Sequence, residues 1–201
     1  NIETVRDANN MVTKFTYDSL NRVLNMTAYG ILQKENSYDT DFNGNSCKNT
    51  VGTTSKGLLC EVRYPRYGNS IKYLYDSKGR AVSVTETKGT TSYTTNYEYD
   101  DAGNVKSITL PNGESMTYNY NRLNQLEGAN VGGVAQPFAF IYNDEGTINK
   151  ITYPNTLEQS FTYTPRNWVE SISVSNNLFS ENYGYDNVGN LKSINNQVSF
   201  T

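Results

Sequence analysis

The sequence predicts an all-β protein: repetitive antiparallel β-hairpins stacked side by side into a curved or spiralling sheet. Three observations carry that prediction. A tyrosine recurs at Tyr17, Tyr75, Tyr99, Tyr120, Tyr142, Tyr163 and Tyr185, with steps of 24, 21, 22, 21 and 22 residues from Tyr75 onward. Two residues before each stands a second aromatic: Phe15, Tyr73, Tyr97, Tyr118, Phe140, Phe161 or Tyr183. Four residues after each stands only glycine or asparagine: Asn21, Gly79, Gly103, Asn124, Gly146, Asn167 or Gly189. So regular a period marks a repeat architecture, in which no unit can bury its apolar face alone and each stacks on its neighbours.

With the recurrent tyrosine as position 0, each part of the unit has a physical reason. Aromatics at −2 and 0 share one face of a strand and favour its pleated surface. If equivalent strands lie side by side, their rings form ladders, each pair contributing about 0.2–1 kcal/mol relative to alanine. At +1 come Asp18, Asp76, Asp100, Asn121, Asn143, Thr164 and Asp186, short side chains that accept backbone N–H groups and start a turn. Glycine or asparagine at +4 closes that turn with a positive φ. Apolar residues then stand at +6 and +9, such as Val105 and Ile108, or Ile148 and Ile151. A spacing of three breaks strict alternation, so a bulge or sharp twist is expected between them. A helix would also suit that spacing, but the recurring glycine and the alternating aromatics favour strands.

Residues 2–10 read as the tail of a preceding unit and residues 11–17 as the first incoming strand. A second turn follows at Pro111-Asn112-Gly113, Pro154-Asn155-Thr156 and Pro65 to Gly68, and elsewhere at Lys88-Gly89, Gly132-Gly133 and Asn176-Asn177. Each unit therefore reads strand, tight turn, strand, looser turn. Between Tyr17 and Tyr75 the period fails. Tyr38-Asp39 has no cassette after it, and a polar insertion occupies residues 40–56 before register returns at Gly57, in a degenerate unit. We expect one array over residues 1–201, of about eight cassettes. Because the chain opens at Asn1, we read it as a fragment of a larger protein.

Composition narrows the function. The 201 residues include 17 tyrosines, are only 36% hydrophobic, carry a net charge of −3 and contain no histidine. An interior built from tyrosine is partly polar, because each buried hydroxyl needs a partner. Without a basic stripe nucleic acid is not an expected partner, and without an apolar run of about 18 residues no helical membrane span is expected. The commonest general base and metal ligand is missing. No cofactor, metal or catalytic residue is assigned, since turn chemistry already accounts for Asp18, Asp76, Asp100 and Asp186. We expect no enzyme.

Cys47 and Cys60, the only two cysteines, bracket that insertion. Free thiols are one reading. A disulfide is favoured, since a staple would close such a loop.

The pattern Tyr-Asp-x-x-Gly-Asn/Arg-apolar, followed by Ile/Val-x-Tyr/Leu-Pro-Asn-Gly and then aromatic-x-Tyr-Asp, resembles the YD repeat, also called the Rhs repeat. Residues 99–104 and 185–190 match it best, and the resemblance covers nearly the whole chain. It implies a ribbon of hairpins that spirals into a hollow shell, as in Rhs polymorphic toxins, ABC toxin complexes and teneurins. The implied role is a scaffold or encapsulating shell segment of a secreted or cell-surface protein, bacterial by resemblance. Its partner would be the remainder of the parent chain: further repeats and an enclosed toxin domain that is not in this chain. The alternative is an adhesion module that binds a glycan or a cell-surface protein. Trp168, the single tryptophan, replaces the small polar residues usual at its turn position and is the one speculative ligand contact.

Overall fold

The computed structural model describes residues 1–49, 55–132 and 137–198; Gly133 of the expected Gly132-Gly133 turn lies outside them. The chain divides into two compact units, Asn1–Glu98 with Ile108–Gly113, and Tyr99–Ser107 with Glu114–Thr201. Strands dominate both, and the only helical geometry among the described residues is two 3-10 turns, Pro65–Tyr67 and Ser175–Asn177.

In the first unit β1 (Thr4–Arg6), β2 (Val12–Tyr17), β3 (Val23–Ala28), β4 (Ile31–Asp39), β5 (Ser55–Tyr64), β6 (Asn69–Tyr75), β7 (Ala81–Lys88) and β8 (Thr91–Tyr99) pair in sequence order, each antiparallel to the last. Strand β9 (Val105–Thr109) follows. In the second unit β10 (Ser115–Tyr120), β11 (Leu126–Val131), β12 (Phe138–Tyr142), β13 (Ile148–Thr152), β14 (Glu158–Tyr163), β15 (Val169–Val174), β16 (Phe179–Tyr185) and β17 (Leu191–Val198) form a meander of the same kind.

One register recurs. Phe140 faces Ile151 and Tyr142 faces Ile148, so the pairing slips by one residue between Ile141 and Tyr142. The same slip lies before Tyr17, Tyr75, Tyr120, Tyr163 and Tyr185. The extra residue stands at +7, which is why +6 and +9, three apart, both face the ring pair across the hairpin. The tight turn follows one scheme. The +4 N–H donates to the +1 carbonyl, as Gly146 does to Asn143 at 2.9 Å, and the +1 N–H donates to the +5 carbonyl, as Asn143 does to Thr147 at 2.9 Å. The +4 residue has φ of 98° at Gly103 and 60° at Asn124, the left-handed region that glycine and asparagine enter at least cost.

Full burial is scarce. Among the described residues the buried apolar side chains are Cys47, Cys60 and Val62, and the buried polar ones Asn36, Ser55 and Glu61. All lie in the first unit, on or beside β5. Most apolar residues of the cassettes are only half-buried, as expected of hairpins that pack as a single layer.

Candidate functional site

In a repeat scaffold the working site is the junction between consecutive cassettes. Two contacts build it. The first is made by the anchor tyrosine, whose hydroxyl donates to the main-chain carbonyl of the +6 residue in the preceding cassette. Tyr120 reaches Val105 at 3.0 Å, Tyr142 reaches Leu126 at 2.8 Å, Tyr163 reaches Ile148 at 2.8 Å and Tyr185 reaches Val169 at 2.8 Å. Tyr17 donates in the same way to Ile2 at 2.6 Å, and Tyr75 to Leu59 at 2.7 Å. The bond to Leu59 sets the register of the degenerate cassette, with Gly57 at +4 (φ 87°). Burial raises the phenol pKa of Tyr75, Tyr120, Tyr142 and Tyr163, so these hydroxyls stay protonated donors.

The second contact involves +5, the residue directly after the glycine or asparagine that closes the turn. Its side chain first completes its own turn. Where +1 is aspartate the +5 residue is a donor: Arg22 Nε to Asp18 at 2.6 Å, Arg80 Nε to Asp76 at 2.7 Å, Asn104 Nδ2 to Asp100 at 2.9 Å and Asn190 Nδ2 to Asp186 at 2.8 Å. Where +1 is asparagine the direction reverses, with Asn121 donating to Gln125 at 2.7 Å and Asn143 to Thr147 at 2.9 Å. That reciprocity was a readable signal. The same side chains then reach the +4 residue of the next turn: Asn104 Nδ2 lies 3.2 Å from Asn124 Oδ1, and Gln125 Nε2 lies 3.5 Å from the Gly146 carbonyl.

The aspartates are thus occupied by the turns. The main-chain N–H of Arg22 holds Asp18 below its ordinary pKa, and the side-chain amides of Asn104 and Asn190 do the same for Asp100 and Asp186. At Asp76 burial pushes upward, but hydrogen bonds from Arg80 prevail and the pKa falls.

Trp168, at +5 of its cassette, is half-buried. Its ring lies 5.3 Å from that of Tyr185, the Arg166 guanidinium sits 5.3 Å from its centroid, and a Cβ built on Gly189 would come within 2.7 Å of it. The indole therefore serves as the junction contact of its cassette. Around it Thr164, Pro165, Glu170, Tyr183 and Asp186 line a pocket of about 310 Å³.

The insertion is tied down by a different set of groups. Cys47 and Cys60 form a disulfide, with Cα atoms 5.4 Å apart, and residues 50–54 of the insertion lie outside the described residues. Residues 41–44 repeat the tight turn with Thr40 in place of the tyrosine: Gly44 N–H donates to Asp41 at 3.0 Å, and φ at Gly44 is 82°. Burial works against the charge of Asp41, yet hydrogen bonds from Asn45, Asn43 and Lys72 lower its pKa to about 2. Beneath it Glu61, 1% exposed, accepts from Arg63 at 2.9 Å and from the Phe42 N–H at 3.1 Å, with Lys72 Nζ at 3.8 Å. A buried carboxylate is tolerated only with such partners. Arg22 ties the end of β4, just before the insertion, to its own cassette, holding Asp39 through its two terminal guanidinium nitrogens at 3.2 and 2.8 Å.

These features define a class: an all-β hairpin-repeat wall, knitted cassette to cassette by tyrosine–carbonyl bonds. The chain belongs to the Teneurin YD-shell family, whose model matches residues 1–201. No curated protein matches it in sequence. Its fold is similar to that of the TcdB2-TccC3 crystal structure, with a TM-score of 0.78, 16% identity, and coverage of 98% of this chain and 11% of that one. The Photorhabdus luminescens Tc holotoxin pore gives a TM-score of 0.76 at 16% identity, again over 98% of this chain and 11% of that one. The chain thus spans about a ninth of the length of these structures. No helix among the described residues is long and apolar enough to cross a membrane.

Proposed function

We propose that residues 1–201 are one continuous stretch of the wall of a hollow YD/Rhs shell, whose parent protein is secreted or displayed at a bacterial surface. The partner is the rest of that parent: further cassettes, and a toxin domain that the wall encloses or presents. One observation carries this reading. The recurrent chemistry of the cassettes is directed at their neighbours rather than at a common pocket: the tyrosine at 0 bonds the preceding cassette, and Asn104, Gln125 and Trp168 at +5 meet the next. Residues so used build a continuous surface, which supports a structural rather than a catalytic role.

The test is limited proteolysis of the parent protein. An enclosed domain resists cleavage while the wall is intact and becomes sensitive when two junctions are loosened together by Tyr142→Ala and Tyr163→Ala. Equal cleavage of the non-repeat region in both proteins sinks the proposal.

A second reading, a surface that binds a glycan or a protein, has one observation in its favour. Thr147 is the shortest +5 side chain, and beside it Asn143, Glu145, Asn149, Phe161 and Asn167 line an open groove of about 510 Å³. Aromatic and amide groups together suit a neutral polar ligand. A glycan array gives signal that Thr147→Gln, which narrows the groove, removes; no signal above background ends this reading.

A further inference from the structure

The Trp168 junction differs chemically from the others in the array. At +5 the other cassettes carry Arg22, Arg80, Asn104, Gln125, Thr147 and Asn190. Here alone a tryptophan at +5 is combined with a glutamate at +7, Glu170, and with two tyrosines on the following strand, Tyr183 and Tyr185. These four side chains, with Asp186, line the pocket of about 310 Å³, at the small end of the range of about 300–1,000 Å³ for ligand pockets. The benzo atoms of the indole lie toward Gly189, as its junction role requires. A cation already sits against the ring: the Arg166 guanidinium, 5.3 Å from its centroid. Arg166 is exposed, and it donates a hydrogen bond to the main-chain carbonyl of Asn187.

Charge and ring chemistry favour a positive occupant. Among the described residues that line the pocket, Glu170 and Asp186 are carboxylates and Arg166 is the one cation. Glu170 is exposed and has no hydrogen-bond or ion-pair partner among the described residues. Asp186 is committed to its own turn and to Asn190, which leaves its negative charge in place. Tyr183 donates its hydroxyl to Glu181, and a phenol that donates to a carboxylate carries more electron density in its ring. Aromatic faces attract cations through the ring quadrupole, tryptophan most strongly.

We propose that this pocket binds a methylated ammonium group of the kind that choline carries, with Trp168, Tyr183 and Tyr185 as aromatic walls and Glu170 as the counter-charge. A quaternary ammonium has no N–H to satisfy, which suits a site where Asp186 and Glu181 already accept from other groups. Arg166 is the internal competitor, and it swings off the indole when the ligand enters. The group arrives either on a free small molecule or on the headgroup of a phosphatidylcholine membrane. Such a site adds a binding function to the wall and does not depend on the shell reading.

The chain contains a single tryptophan, so its intrinsic indole fluorescence reports this site alone. Choline chloride is titrated into the full 201-residue chain against sodium chloride at matched ionic strength, with saturation transfer to the choline methyl protons as an independent readout. The expected result is a saturable response with a Kd in the millimolar range. The uncharged carbon isostere of choline, with tert-butyl in place of trimethylammonium, should bind about five- to thirty-fold more weakly. Glu170→Gln should weaken choline about two- to five-fold, and Arg166→Gln, which removes the competitor, should tighten it by about as much. Vesicle sedimentation assigns the source: selective pelleting with phosphatidylcholine over phosphatidylglycerol points to the lipid headgroup, and choline binding without pelleting points to a free molecule. Three outcomes overturn the proposal: no saturable response in either readout, equal affinity for choline and its uncharged isostere, or choline binding that neither variant changes.

Discussion

The hydroxyl of Tyr142 lies 2.8 Å from the carbonyl oxygen of Leu126, across the boundary between two cassettes. The bond adds a side-chain tie to the short β11–β12 ladder, and removing it leaves a half-buried carbonyl without its side-chain donor. Tyr142→Phe should lower stability by about 1 kcal/mol, read as a shift in urea midpoint at unchanged slope. Tyr163→Phe should match it. Tyr67→Phe, at a ring 62% exposed, should change nothing measurable.

Gly189 tests the second junction contact. Gly189→Ala places a side chain at φ 93° and against the Trp168 ring, whereas Gly113→Ala places one at φ 87° in open space. Both substitutions pay about 1–2 kcal/mol for the left-handed conformation, and only Gly189→Ala adds about 1–3 kcal/mol of overpacking. Trp168→Ala should recover that second part in a double-mutant cycle. Equal costs for the two alanines would remove the indole from the junction.

Reduction of the Cys47–Cys60 bond opens a loop with a sequence separation of 13. On the chain-entropy model the loss is about 3 kcal/mol. The intact mass should rise by two hydrogen atoms under reductant, which supplies the two electrons, and the denaturation midpoint should fall with it.

Glu61 makes an asymmetric prediction. Its cationic partners Arg63 and Lys72 are 38% and 41% exposed in their side chains, while Glu61 is buried. Glu61→Gln leaves two cations that water can still solvate. Removing the cations with Arg63→Met and Lys72→Met leaves a buried carboxylate unpaired, at a cost of about 3–5 kcal/mol. The double variant should therefore be the less stable of the two by thermal melting, despite being the more apolar.

Stability should hold across a broad pH plateau and fall at both ends. Asp41 has a folded pKa of about 2, below the value of about 3.9 for an unfolded aspartate. Its contribution is present above pH 4 and is lost as pH drops toward 2. Tyr75, Tyr120, Tyr142 and Tyr163 shift the other way, since burial raises them. Their contribution is present below the unfolded value of about 10 and is lost as pH rises through the higher folded values. Unfolding titrations followed by far-UV circular dichroism at pH 2, 7 and 11 check both limits, and Tyr163→Phe should shallow the alkaline loss.

Much of this fold is legible in one dimension because the chemistry that makes it is local. The aspartate at +1 and the glycine at +4 act on their own turn, so Asp100 and Gly103 announce a hairpin within a few residues. The junction is harder to read. A tyrosine at 0 is visible, but its acceptor is a main-chain carbonyl, and no side chain at Leu126 or Val169 marks it. The turn at residues 41–44 is hidden for a related reason: Thr40 stands where a tyrosine would have drawn attention. Glu61 misleads in the opposite sense, since an acid on a strand reads as solvent-facing until Phe42, Arg63 and Lys72 are seen to close over it.

A peptide carbonyl is the one acceptor that every residue supplies equally. A wall fastened through that group asks each cassette to keep its own tyrosine and, for the bond itself, asks nothing of the side chain of the residue that receives it, whose apolar character serves the packing within its own hairpin. Residues around the acceptor can then vary among apolar types without loosening the seam, as Val105, Leu126, Ile148 and Val169 do. Cassettes so joined are interchangeable parts, which lets a gene lengthen or shorten such a wall by whole repeats without redesigning any joint.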